Sequence, residues 1–124
     1  MTYREQPPAF VMENWLALNP GWRVELSLDD ECEEFIRAHF GDRLAQTFAR
    51  TIKRGMYKAD LWRLCKLYVY GGAYADVDVV PLVPLDSLLS RFPEHTFLSN
   101  IAYDRKSVFQ AFFLTVPRLS LIHI

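Results

Sequence analysis

The chain of 124 residues has little cysteine. Its two cysteines, Cys32 and Cys65, lie far apart and outside any C-x-x-C pattern. Zinc sites and dithiol redox pairs need cysteines at short, regular spacing, so the sequence indicates neither. Cys65 is most simply a buried thiol. Spacing in sequence does not fix the distance between two Cα atoms, so a disulfide between the two cysteines stays open.

The chain also lacks a long apolar run and an excess of charge. No segment reaches the roughly 18 consecutive apolar residues of a membrane span, and the first eight residues lack the apolar stretch of a signal peptide. The net charge is −1, so no overall field favours nucleic acid or an anionic membrane. We therefore expect no nucleic-acid partner, and membrane association only through segments absent from this sequence.

The composition is that of a folded domain, since 51% of the residues are hydrophobic. Both ends look cut. The sequence offers three good strand candidates, fewer than a doubly wound α/β sheet needs, so we expect residues 1–118 to be part of a domain.

The last six residues, 119–124, are Leu-Ser-Leu-Ile-His-Ile. They are the translation of CTG TCT CTT ATA CAC ATC, which resembles the mosaic-end adapter of transposase-based sequencing libraries. We expect an adapter-derived tail there, in which His123 carries no function; the alternative is an ordinary apolar tail.

Hydrophobic periodicity predicts a mixture of helices and strands. Helical spacing predicts helices from Pro7-Pro8 to Leu18, from an N-cap at Asp29-Asp30 to Gly41, from Asp42 to Arg54, over 56–70, from an N-cap at Asp86 through Leu89, and over 107–116. A period of two predicts strands over 22–28 and 74–79, and a third is predicted over 96–100. Gly71-Gly72 stands where a left-handed helix cap is expected.

The strand predicted over 74–79 carries the chemistry. Its period of two places Tyr74, Asp76 and Asp78 on one face. Two neighbouring carboxylates repel each other unless a proton or a cation neutralises one of them. Carboxylate oxygens suit Mg²⁺ and Mn²⁺, which complete their shells with water and substrate phosphates. Asp76-Val77-Asp78 therefore predicts a metal-diphosphate site, although a D-x-D alone is more often a pair of solvated turn residues.

A second polar pair lies on the preceding helix. Asp60 and Arg63 are three residues apart, so they share a face and could meet the strand carboxylates across the glycine turn. The alternative for this pair is a surface ion pair that contributes about 0.5 kcal/mol or less. Tyr74 could equally pack in the core. His39 and His95 stand apart from other ligand candidates, so we interpret each as an ordinary helix-end or loop histidine.

Two segments together resemble the motif of DXD-type sugar transferases. They are 58–63, Lys-Ala-Asp-Leu-Trp-Arg, and 67–78, Leu-Tyr-Val-Tyr-Gly-Gly-Ala-Tyr-Ala-Asp-Val-Asp. Similar enzymes are the family 32-like mannosyl-, galactosyl- and N-acetylglucosaminyltransferases and, more distantly, the glucosylating bacterial toxins. Asn14-Trp15, Asn19-Pro20-Gly21-Trp22 and Asp29-Asp30 resemble the segment upstream of the motif. The resemblance covers most of 14–100 and is strongest over 58–86.

The resemblance implies a role for each matching residue. Asp78 would bind a divalent ion, Mn²⁺ or Mg²⁺, directly, and Asp76 would contact the metal, often through water, together with the ribose or sugar of the donor. The remaining donor-binding residues would be Asp60 and Arg63 at the sugar or diphosphate, Tyr74 in the pocket wall, and Gly72 at a close backbone approach. A catalytic base or nucleophile is not implied, and we take 56–86 as the donor-binding core.

The resemblance further implies a GT-A type fold, which is a Rossmann-like nucleotide-sugar-binding sheet flanked by helices, here as a truncated portion. The implied activity is metal-dependent, retaining transfer of a hexosyl unit from a UDP- or GDP-linked sugar to a glycan, lipid or protein. The location would be the Golgi or another secretory-pathway membrane in a eukaryote, or the cytoplasm in a bacterium. The chain departs from the pattern because it lacks the first nucleotide-binding strand and the acceptor-binding regions.

Two alternatives compete with this hypothesis. Residues 76–80 formally match the D-x-D-x-[TV] motif of haloacid-dehalogenase-type phosphatases, in which Asp76 would be the nucleophile. That motif normally opens its domain, whereas here a long helix and two glycines precede it. The other alternative is a remnant that binds nucleotide sugar without transferring it.

Overall fold

The computed structural model of the chain describes residues 9–118. Its helices are α1 (Ala9–Leu18), α2 (Asp29–Phe40), α3 (Asp42–Gln46), α4 (Gly55–Tyr70) and α5 (Leu85–Arg91), and a π-helical turn over Thr47–Thr51 continues α3. Its strands are β1 (Gly72–Ala75), β2 (Phe97–Ile101) and β3 (Val108–Thr115). No helix within residues 9–118 combines the length and the apolar character needed to cross a bilayer.

The three strands form one sheet in the order β1-β3-β2, with both pairings antiparallel. Tyr74 of β1 lies opposite Phe113, and Leu98 of β2 lies opposite Leu114. The register shifts next to Ser99: Ser99 lies opposite Phe113, but Asn100 lies opposite Phe109. The residues 110–112 of β3 therefore form a bulge, which turns backbone carbonyls away from the regular ladder.

Helices cover both faces of this sheet. Phe113 and Tyr74 pack in one buried cluster with Ile36 of α2 and Trp62 of α4. Phe112 and Leu114 point to the other face and pack in a second cluster with Leu85 of α5 and with two tryptophans, Trp15 and Trp22. The described residues thus form a mixed helix-and-sheet structure, which is consistent with the predicted α/β class. The described strands are antiparallel, and the Rossmann-like sheet of a GT-A fold stays a prediction.

Several predicted elements are confirmed: α1 from Ala9 onward, α2 up to Gly41, α4, α5 and β2. The two N-cap predictions are wrong. α2 begins at Asp29 with Leu28 as its N-cap, whose N–H donates to the Glu31 carboxylate at 2.9 Å. α5 begins at Leu85, so Asp86 lies inside its first turn. The predicted helix start at Pro7-Pro8 and the predicted tail 119–124 lie outside the described residues.

The predicted strand over 22–28 is wrong. This segment is extended but pairs in no sheet among residues 9–118 apart from a single bridge position at Leu28. Its alternation still governs burial, because Trp22, Val24 and Leu26 are half-buried while Arg23 and Glu25 are exposed. Amphipathic alternation therefore indicated which side faces the core, but a strand also needs a hydrogen-bonding neighbour.

The predicted helix over 107–116 is also wrong, because this segment is β3, the central strand. Phe112, Phe113 and Leu114 are all buried, and they alternate between the two faces of the sheet. A strand covered on both faces has a continuous apolar run instead of an alternating one. Such a run cannot be told from a buried helix by periodicity, which explains the error.

Both cysteines are buried and carry free thiols, so the disulfide that the sequence left open is absent. They lie in the same core cluster as Tyr74. Burial raises the pKa of the Cys32 thiol to about 12, with a further contribution from the negative charge of Asp29. Burial alone raises the pKa of the Cys65 thiol to about 11.

Candidate functional site

The candidate site lies where α4 meets β1, and Gly71 makes this junction possible. Gly71 ends α4 at φ 65° and ψ −155°, a conformation that is essentially restricted to glycine, and its N–H donates to Leu67 O at 2.8 Å. A Cβ at Gly71 would lie 2.6 Å from Pro117 N and 2.8 Å from Thr115 O. The predicted glycine cap is therefore confirmed, and it lets the end of the helix touch the end of β3.

Gly72 also has a positive φ, of 90°, but a Cβ there would meet no atom within 4 Å. It is the first residue of β1 and faces open space in a cleft. The backbone is thus accessible at Gly72, as the resemblance implies for a residue that a donor approaches closely. Whether a donor binds there stays a prediction.

The Asp76-Val77-Asp78 motif lies in a turn, because β1 ends at Ala75. The predicted strand over 74–79 is therefore wrong beyond Ala75, and Asp78 does not continue its face. The Val79 N–H donates to Asp76 O at 3.0 Å and closes the turn. The Asp76 N–H donates to Ala111 O at 2.8 Å, so the turn is attached to the bulge of β3.

The two carboxylates of the motif have different surroundings. The Asp76 side chain is 21% exposed. Its Oδ1 accepts a hydrogen bond of 2.7 Å from the Tyr74 hydroxyl and lies 3.6 Å from Arg63 Nη2. Asp78 is exposed to solvent. The inner carboxylate is thus held by the protein, whereas the outer one can meet a ligand.

Tyr74 is buried beside this carboxylate. Burial raises the pKa of the Tyr74 hydroxyl, and the hydrogen bond to Asp76 raises it further, because a phenolate beside a carboxylate is unfavourable. The hydroxyl therefore stays protonated and donates. Its ring packs under Arg63, whose Cζ lies 4.9 Å from the ring centroid.

Arg63 contacts both Asp60 and Asp76, so the helix pair and the strand carboxylate are linked through its guanidinium. Arg63 Nη2 lies 3.0 Å from Asp60 Oδ1, and the side chains are 5% and 46% exposed, respectively. The alternative of a simple surface ion pair does not hold, since the guanidinium is buried. Lys58, which belongs to the same motif, instead forms an ion pair of 3.0 Å with Asp29 on α2.

An open cleft of about 570 Å³ lies between the extended segment 22–27 and β1. Of the predicted donor-binding residues, Gly72, Tyr74 and Asp76 line its wall. Asp60, Arg63 and Asp78 do not line it. A volume of this size lies within the range of small-molecule sites, which is about 300–1,000 Å³.

The cleft has wall residues that the site prediction did not include. Trp15 and Trp22 line it. Their indoles bond to the segment that follows the DXD turn: Trp15 Nε1 donates to Val79 O at 3.2 Å, and Trp22 Nε1 donates to Asp86 Oδ1 at 2.9 Å. Both tryptophans lie in the upstream segment of the family resemblance, which was the available signal. Lys66 adds a positive charge to the wall and pairs with Glu25 at 3.1 Å.

The donor atoms of the turn fit a divalent ion that shares its shell with a substrate. Asp76 and Asp78 supply carboxylate oxygens, which suit Mg²⁺ and Mn²⁺. Within residues 9–118, no group of three or more histidine, cysteine, aspartate or glutamate side chains could form a complete protein cage. A divalent ion held by these two carboxylates would need further ligands, such as water or the phosphates of a substrate.

Comparisons with known proteins identify the family of the chain. A family model described as "Glycosyltransferase sugar-binding region containing DXD motif" matches residues 9–93. An "Initiation-specific alpha-1,6-mannosyltransferase" from Candida albicans (strain SC5314 / ATCC MYA-2876) is 29% identical over 80 residues, which is 63% of this chain but 20% of that protein. The matched part thus spans about a fifth of that relative. No solved structure matches the chain. The chain belongs to the glycosyltransferase family that is defined by a DXD-containing sugar-binding region.

Proposed function

We propose that the chain is the donor-binding part of a glycosyltransferase that moves a hexosyl unit from a nucleotide diphosphate sugar to an acceptor. The observation that carries this proposal is the DXD turn, which lies beside a cleft within the segment that the family model matches. The donor would be UDP- or GDP-linked, and the acceptor a glycan, lipid or protein. Family membership favours this activity over the phosphatase alternative.

The two carboxylates of the DXD turn would have different roles in binding the donor and its metal ion. Asp78, which is exposed, would bind Mn²⁺ or Mg²⁺ directly. Asp76, which Tyr74 and Arg63 already contact, would reach the ion through water and face the donor from the cleft wall. The bound ion would offset the negative charge that develops on the leaving diphosphate.

The other proposed donor-binding residues surround this turn. Gly72 and Tyr74 would form the wall along which the donor lies, because both line the cleft. Asp60 is 46% exposed and can accept hydrogen bonds from sugar hydroxyls. Arg63 joins Asp60 to Asp76.

In the reaction, the bond between the sugar's anomeric carbon and the diphosphate oxygen breaks, and the diphosphate leaves with the bonding electrons. A new bond forms from the anomeric carbon to an acceptor hydroxyl oxygen, and the proton of that hydroxyl passes to the leaving diphosphate. By analogy with the family, we propose retention of anomeric configuration and a GT-A type, Rossmann-like domain of which the described sheet is a part.

The test is calorimetric titration of the chain with UDP and GDP sugars, GDP-mannose included because the relative is named a mannosyltransferase. Titrations are run with Mn²⁺ and then with a chelator. The Asp76→Asn, Asp78→Asn double variant is compared with a control that removes two exposed charges elsewhere, Glu34→Gln with Glu94→Gln.

We expect metal-dependent binding by the wild type and by the control, and none by the DXD variant. A folded wild type that binds no nucleotide sugar would contradict the proposal. If binding occurs, incubation with acceptors then tests for transfer: release of the nucleotide diphosphate that depends on an acceptor would favour a transferase over the non-catalytic alternative.

A further inference from the structure

We propose that Trp15 is a positioning residue for the DXD turn. Its indole N–H holds the carbonyl of Val79, and this bond fixes the chain next to Asp78, the exposed carboxylate that would bind the metal ion. The inference rests on the proposed function, since it concerns the geometry of that metal site. It is carried by the way in which the segment after the DXD turn is attached to the fold.

The segment after the DXD turn has little regular structure of its own. Residues 79–84 belong to no helix or strand, and Pro81 and Pro84 have no backbone N–H to donate. Val80 and Leu82 are 61% and 88% exposed, so they bury little surface. A segment with few internal hydrogen bonds and little buried surface takes its position from the elements that contact it.

Three side chains at the end of α1 and in the turn after it supply such contacts. Trp15 Nε1 donates to Val79 O at 3.2 Å. Asn19, which is buried, accepts from the Leu85 N–H at 2.7 Å and donates from Nδ2 to Trp15 O at 2.9 Å. Trp22 Nε1 donates at 2.9 Å to the first turn of α5. Of these three side chains, Trp15 is the one that reaches the residue next to the motif.

Val79 is the residue at which the turn closes. Its N–H donates to Asp76 O at 3.0 Å, while its carbonyl accepts from Trp15. At the other end of the turn, the Asp76 N–H donates to Ala111 O at 2.8 Å. The turn is thus held by β3 on one side and by α1 on the other. Because Asp78 lies between these anchors and is exposed, they set the direction of its carboxylate.

Trp15 is itself held in place. Its ring stacks on Phe112 of β3, with centroids 6.5 Å apart and an interplanar angle of 10°. It also packs against the buried cluster of Phe112, Leu85 and Leu114. The indole N–H is therefore presented to Val79 from a fixed ring. Groups that orient a metal ligand without touching the metal usually matter for metal affinity.

The test removes the indole N–H and keeps an aromatic ring. Trp15→Phe is compared with Asp86→Ala, which removes the acceptor of the Trp22 bond at the far end of the same segment. Mn²⁺ affinity is measured by electron paramagnetic resonance at saturating GDP or UDP. We expect Trp15→Phe to weaken Mn²⁺ binding about fivefold, the usual weight of one hydrogen bond, and Asp86→Ala to change it by less than about twofold.

Unchanged Mn²⁺ affinity in Trp15→Phe would overturn the proposal. Equal losses in the two variants would overturn it as well, because they would show a general loosening of the segment instead of a specific effect at the turn. If Trp15→Phe does not fold, benzothienylalanine at position 15 decides by the same criteria, since it keeps both rings of the indole and lacks the N–H.

A second measurement needs no ligand. Hydrogen exchange at the Val79 amide, followed by NMR in the free chain, reports how often the turn opens. It should be about fivefold faster in Trp15→Phe and unchanged in Asp86→Ala. An unchanged rate in Trp15→Phe would overturn the positioning role by itself. A faster rate in a chain that binds no nucleotide would instead contradict the proposed function and leave the anchoring of the turn supported.

Discussion

Asp76 and Asp78 are the same residue type two positions apart, yet the protein treats them differently. Asp76 is held by Tyr74, by the buried Arg63 and by a backbone bond to β3, whereas Asp78 is exposed on a turn. Because both carry one negative charge, the difference comes from the surroundings alone. It teaches that one carboxylate of the motif is built into the folded structure, while the other is left exposed; under the proposed function the exposed carboxylate would be the one that meets the ligand.

The largest effect is expected from a substitution at Gly71, which would disrupt the junction between α4 and β1 that precedes Asp76. Gly71→Ala should lower the free energy of unfolding by about 3 kcal/mol or more, because it combines a conformation that only glycine adopts easily with overlap against Pro117 and Thr115. Gly72→Ala has the strained φ without the overlap and should cost about 1–2 kcal/mol. Urea unfolding of both variants checks this. Equal losses of stability in the two variants would show that Gly71 does not pack closely against the end of β3.

The next effect compares the carboxylates directly. Asp76→Asn should lower the free energy of unfolding by about 1–2 kcal/mol, since it removes a charged partner of the buried Arg63 and weakens the bond from Tyr74. Asp78→Asn should change it by less than about 0.5 kcal/mol, because Asp78 is exposed. Thermal unfolding without metal provides the measurement. A destabilised Asp78→Asn variant would break the distinction between the two positions.

The smallest effect concerns the core beneath Asp76, which contains Cys32, Cys65 and Tyr74. Burial in the folded chain raises the pKa of the Cys32 thiol to about 12 and that of the Cys65 thiol to about 11, from an ordinary value of 9.0. The unfolded chain releases them near pH 9, so this contribution is complete below pH 9 and is lost as the pH rises toward 11–12. At pH 10 the loss should be on the order of 1 kcal/mol per thiol.

Urea unfolding at pH 8, 9 and 10 checks this expectation, with Cys32→Ala as the comparison. The cavity in that variant lowers stability at every pH, but its stability should fall less steeply above pH 9 than that of the wild type. Parallel declines for the two proteins would show that the thiols are not the groups responsible.

The sequence was most informative where local rules decide the structure. The run from 56 to 72 has helical spacing and ends in glycines with positive φ, so both α4 and its cap were predictable. The contact of Arg63 with Asp76 was also predictable, because a short turn joins their elements. The burial of Arg63 was not, since it depends on Gln110, which lies far away in sequence.

Non-local pairing set the limits of prediction. The strand over 22–28 failed because no neighbouring strand pairs with it in the described part of the chain. The strand over 74–79 stopped at Ala75, because its pairing with β3 ends there and the chain turns at 77–78. The helix over 107–116 failed because burial on both faces erased the alternation of β3. In each case the deciding contact is with a distant segment, which a local pattern does not contain.

The most direct test of the different roles of Asp76 and Asp78 is anomalous diffraction from crystals grown with Mn²⁺ and either GDP or UDP. The account predicts a manganese peak about 2–2.5 Å from an Asp78 carboxylate oxygen, with Asp76 still accepting its hydrogen bond from the Tyr74 hydroxyl. A peak bound elsewhere, or a diphosphate bound in the cleft with no manganese beside the DXD turn, would contradict it.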